Sequence, residues 1–137
     1  MAGFGSVANL SNGLAMARAA EAMLRTLGGG EAMLRFRGAA VSNDATSNPR
    51  LGLAANLCED VSLSPVVVRD GADDLLEFVL PASVVDDQVE LRQMGTAKTL
   101  FQSALGFLHD GKLLRIESVL ADFHGGAAYL YRVTARE

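Results

Sequence analysis

The stretch "FLHDGKLLRIESV", Phe107 to Val119, decides the fold. Asp110-Gly111 stands between two apolar runs, and an Asp-Gly pair supplies the positive φ angles that a two-residue type I′ turn requires. The stretch therefore reads as a β-hairpin. Just beyond it, "DFHGGAAYLYRV", Asp122 to Val133, repeats the arrangement around Gly125-Gly126. Glycine pairs are turn residues before anything else, so His124 belongs to a chain reversal. In the strand that follows, Tyr129, Tyr131 and Val133 alternate with Leu130, Arg132 and Thr134, the period of a half-buried strand.

Working back towards the N-terminus, "LLEFVLP" reads as a strand ending at Pro81, "DGADD" as a turn, and "VSLSPVVVRD" as a strand. Pro65 marks that strand as an edge or as the start of a pairing segment. "EAMLRFRG" sets Ala32, Leu34 and Phe36 against Met33, Arg35 and Arg37 and predicts another half-buried strand. Before it, a helix over residues 11–27, capped by Ser11 or Asn12, carries Met16, Ala20, Met23, Leu24 and Leu27 on one face. Gly28 to Gly30 end that helix.

Two segments resist assignment. Residues 41–60 hold Ser, Asn, Asp and Pro first and Leu51, Leu53 and Leu57 later, without a period. They predict a long loop of the kind that is functional or mobile. "ASVVDDQVELRQMG" fits a helical turn capped by Ser83, and Ala97, Leu100, Phe101, Ala104, Leu105 and Leu108 fit a helical stripe interrupted by Gly106. The expectation is a single α+β domain over residues 1–137. It is a small, mainly antiparallel β-barrel or sandwich of five or six strands over 61–137 and the "EAMLRFRG" segment, with a flexible arm at 1–10, an N-terminal helix and a long loop.

Half of the 137 residues are hydrophobic, and the mean hydropathy is +0.22. That is high for a soluble monomer of this size and suits an alanine-rich chain with a well-filled core, or apolar surface buried against other subunits. The net charge of −4 does not favour sequence-specific nucleic-acid binding. Between Glu59 and Glu90, nine acids face a single base, Arg69, so this segment carries −8 and the remainder +4. Such a division suits complementary subunit contacts as well as a solvated surface. Asp73, Asp74, Asp86 and Asp87 are the candidate contact residues within it, and Leu51, Leu53 and Leu57 the apolar ones in the loop. The lone Cys58 allows no internal disulfide and fits a reducing compartment. No segment approaches the ~20 apolar residues of a membrane span, and a cytoplasmic protein is expected.

The chemical motifs are sparse. "HGG" resembles an esterase oxyanion loop, but no "GxSxG" nucleophile elbow accompanies it. His109 and His124 neighbour Asp110 and Asp122 without a zinc spacing. The pairs Asp73-Asp74 and Asp86-Asp87 sit where turns are expected, not facing each other across a cleft. No catalytic residue, metal site or cofactor is therefore assigned, and the chain reads as a non-enzyme. A small-molecule-binding barrel or an accessory enzyme subunit remains as the alternative, and a minor enzyme with a His109/His124 metal site as a third reading.

The order of features resembles small neck proteins of tailed phages, the head–tail joining, connector and tail-completion proteins. Gly111, Leu114, Ile116 and Val119 match a "G-x-x-[YWL]-x-[IV]-x-x-V" strand, and Leu130, Arg132 and Val133 a following strand of "Y-x-[VL]" type. The resemblance implies a prophage-derived structural protein that forms a ring-like homo-oligomer between portal and tail, without enzymatic activity. It implies a location in the bacterial cytoplasm or the assembled particle. The family's first strand would be "EAMLRFRG" and its mobile loop Val41 to Asp60.

Overall fold

The computed structural model describes residues 15–38 and 58–137. A helix over residues 15–26 (α1) leads into β1 (Gly30–Arg37). Then follow β2 (Cys58–Asp70), β3 (Leu76–Pro81), the helices α2 (Ala82–Leu91) and α3 (Ala97–Ser103), β4 (Ala104–His109), β5 (Lys112–His124) and β6 (Ala127–Arg136). The six strands are antiparallel and close into a barrel in the order β1-β2-β3-β6-β5-β4. The expected choice between barrel and sandwich thus resolves to a barrel. Its two turns read from sequence are present. Asp110 (φ 50°) and Gly111 (φ 78°) join β4 to β5, and Gly125 (φ 62°) and Gly126 (φ 82°) join β5 to β6. Both turns place two residues at positive φ, the geometry whose twist matches that of the flanking strands.

Alternation along each strand builds the core. Ala32, Leu34 and Phe36 of β1 point inward with Leu63, Val66, Phe78, Leu80, Phe107, Leu114, Val133 and Ala135. Outward residues pair across the strands. Arg35 lies opposite Asp60 in the β1–β2 register and Arg69 opposite Glu77 in β2–β3. Pro65, which cannot donate to a ladder, sits where the β1–β2 register shifts between Gly30 and Ala32. Beyond it, β2 leaves β1 and pairs with β3 from Val67.

The connection between β3 and β4 corrects three expectations. Residues 82–91 form a full helix without a Ser83 cap; Pro81 is the N-cap and makes no side-chain cap hydrogen bond. Ser83 instead donates to Glu21 Oε1 at 3.1 Å and links α2 to α1. Asp86 and Asp87 therefore lie on the outer side of a helix, not in a turn, because Ala82, Val85 and Val89 follow helical spacing into the core. The helical stripe from Ala97 stops at Ser103, since Gly106 (φ 151°) permits a close approach of β4 to β5. A Cβ there would lie 2.1 Å from the Leu114 carbonyl oxygen. Val85, Leu100 and Phe101 bring α2 and α3 into the barrel core.

α1 packs on the outside of the barrel. Ala20 and Leu24 meet Val79 and Leu130, with Val67 and Tyr129 at the margin. The apolar face is narrower than expected, as Met23 and Leu27 are exposed. The long loop also ends earlier than expected, because Cys58, Glu59 and Asp60 already belong to β2. The expected arm 1–10, the helix start near Ser11, and Leu51, Leu53 and Leu57 lie outside the described residues. Among the described residues no helix is long and apolar enough to cross a membrane.

Candidate interaction surfaces

Strand directions divide the potential chemistry between two ends of the barrel. The turns after β2 and β4, with the end of β6, occupy one end; α2, α3 and the β5–β6 turn belong to the other. His109 and His124 flank β5 at opposite ends, so roughly 40 Å of extended strand separates them. They cannot share a metal or act on one substrate. His109 meets the Phe78 ring edge-on at 6.0 Å and approaches the adjacent Asp110 carboxylate at 3.4 Å. Among the described residues no three His, Cys, Asp or Glu side chains converge as a metal site would require.

The four candidate aspartates do not form one site. Asp73 and Asp74 cap the exposed turn between β2 and β3, where the Leu75 N–H donates to the Ala72 carbonyl at 3.0 Å. Both hold positive φ, 57° and 63°, a conformation that short polar side chains tolerate best. With Asp70 they border an open cleft of about 890 Å³ facing Asp110 and Lys112. Asp86 and Asp87 are on α2. Partial burial of the Asp86 carboxyl, and then the neighbouring Asp87 charge, push its pKa upward although the residue is exposed as a whole. Burial, and then the charge of Asp86, likewise raise Tyr131.

The acidic segment is less unbalanced than its composition implies. Arg35 donates two hydrogen bonds to Asp60, at 2.8 and 3.1 Å. This bidentate bond holds Asp60 below the usual carboxylate range and raises Arg35. Arg69 pairs with Glu77. Arg92 stacks 3.9 Å over the Phe36 ring and donates to Glu59 at 2.9 Å. Three of the nine acids are thus answered among the described residues. Asp70, Asp73 and Asp74 form the acidic group concentrated at one end.

Two surfaces escaped the sequence. The β5–β6 hairpin carries Leu120 and Phe123 with 51% and 67% of their surface exposed. Arg132, bonded bidentately to Asp122 at 3.1 Å in both contacts, braces its outer face. The hairpin itself was legible, but not that this part of β5 has β6 as its one ladder partner among the described residues. The second surface is a groove of about 380 Å³ where β4 and β5 part after the Phe107–Leu114 pair. Phe101, Ile116 and Val119 line it with Lys98, Gln102 and Arg115. Lys98 and Gln102 are one helical turn apart, yet nothing in the sequence places Arg115 beside them.

Comparison with protein-family models, curated proteins and solved structures finds no match to this chain.

Proposed function

We propose that the chain is a structural assembly protein, a neck or tail component that joins a phage or phage-like head to its tail through a ring-like homo-oligomer. The observation that carries this reading is the pair of large apolar side chains, Leu120 and Phe123, exposed on the β5–β6 hairpin. Large apolar side chains left exposed suit contact with another chain better than contact with water. The barrel interior supports the same reading. Phe78, Phe107, Leu34 and Leu63 fill it, which speaks for a scaffold over a barrel that holds a ligand. The dispersed histidines and carboxylates suit a scaffold better than a catalytic centre.

In this reading the partners are further copies of the chain together with portal and tail proteins, in the bacterial cytoplasm and then in the particle. Exposed charge pairs contribute only about 0.2–1 kcal/mol each, so apolar contacts supply most of the affinity and charges set the register. The test is Leu120→Ser with Phe123→Ser, followed by light scattering. Reduced association with an unchanged thermal midpoint is expected. Association as tight as that of the unaltered chain would remove the hairpin from the interface.

A further inference from the structure

We infer that the groove between α3 and β5 is the socket for the Asp70–Asp74 turn of a second copy of this chain. The inference rests on the assembly reading above and names the contact that closes it. Lys98 and Arg115 are exposed, line the same groove, and have no ion-pair partner among the described residues. Glu117, the one acid in the lining among the described residues, is bound to Arg136, with Nη2 donating at 3.0 Å. The groove is therefore positive in a chain of net charge −4. Beside those two side chains, β5 from Arg115 onward turns one edge away from β6, and no described strand pairs with it. Such an edge offers backbone N–H groups, which suit carboxylate oxygens.

The complementary surface is on the same molecule but elsewhere. Asp70, Asp73 and Asp74 are exposed, and none has an ion-pair partner among the described residues. Gly71 and Ala72 keep the turn slim, and Asp73 and Asp74 hold left-handed conformations at its tip. The turn is at the barrel end opposite α3, so it cannot reach the groove of its own chain. A contact between two different surfaces is heterologous, and repetition about an axis gives a ring. Two carboxylates at the tip match two cations in the groove.

Charge exchange tests this. One variant carries Lys98→Glu with Arg115→Glu and the other Asp73→Lys with Asp74→Lys, each followed by sedimentation across a concentration series at low salt. Asp73→Asn with Asp74→Asn, which suits the positive φ angles, provides a second turn variant whose charge is neutralised without strain. Each variant alone is expected to associate about tenfold more weakly than the unaltered chain. An equimolar mixture of the two charge-reversed variants should recover association, because every groove then meets a turn of opposite charge. Unchanged association of all variants overturns the socket and leaves the assembly reading standing. An unaltered chain that stays monomeric throughout overturns both. Weakening without recovery in the mixture also overturns the pairing, since it places the charges in separate contacts.

Discussion

The rings of Phe78 and Phe107 stack face to face in the barrel core, 4.1 Å between centroids and 5° from parallel. Phe78 comes from β3 and Phe107 from β4, strands that are not ladder neighbours, so the stack ties together walls that no hydrogen bond joins. Phe101 of α3 packs against Phe107 at 6.1 Å and extends the cluster to the connecting helices.

Phe107→Ala should cost about 3–5 kcal/mol, the sum of lost transfer energy and a cavity that the closed barrel cannot collapse around. Phe107→Leu should cost less. Urea unfolding would measure both, and equal costs for the two variants would mean that the stack is not where the core holds the walls together.

Gly106→Ala should prevent normal pairing of β4 with β5, because the new Cβ meets the Leu114 carbonyl carbon and oxygen at 2.9 and 2.1 Å. Gly95→Ala is the control, since Gly95 also holds positive φ (83°) but its Cβ would meet nothing within 4 Å. The control should lose about 1 kcal/mol, and Gly106→Ala several times that or all soluble protein. Equal thermal midpoints would contradict the close approach.

Asp60 and Asp86 should respond to acid with opposite signs. The pKa of Asp60 is lowered in the folded protein, so its stabilisation is full above the ordinary carboxylate range. It is lost as pH falls through the depressed value. Asp60→Asn should therefore cost about 0.5–1 kcal/mol at neutral pH and progressively less in acid. The pKa of Asp86 is raised, so its ionised form opposes folding at neutral pH, and acidification relieves this. Asp86→Asn should be neutral to stabilising at pH 7. Unfolding titrations of both variants between pH 3 and 7 check the signs.

Strand alternation made most of the barrel legible. Leu34 and Phe36 against Arg35, and Val133 against Arg132, follow from side chains that alternate across a half-buried sheet. The two I′ turns were legible because only a few residue pairs accept positive φ. Residues 82–108 were not, since the apolar positions of α3 and β4 run together into one apparent helical stripe. The end of α3 depends on a contact between Gly106 and Leu114 that only the closed barrel creates. The exposure of Met23 and Leu27 has a similar origin, because the narrow strip offered by Val79 and Leu130 limits what α1 can bury. The groove of Lys98 and Arg115 arises from the parting of β4 and β5, and pairing geometry of that kind leaves no local pattern.

The proposed function requires self-association, which light scattering coupled to size-exclusion chromatography would measure. The unaltered chain would be followed across a concentration series at low and at high salt. A discrete oligomer is expected, its population rising with concentration and falling modestly, without vanishing, when salt is added. A mass that stays at one chain's 14.4 kDa at every concentration and low salt, with no binding to a portal or tail protein, would contradict it.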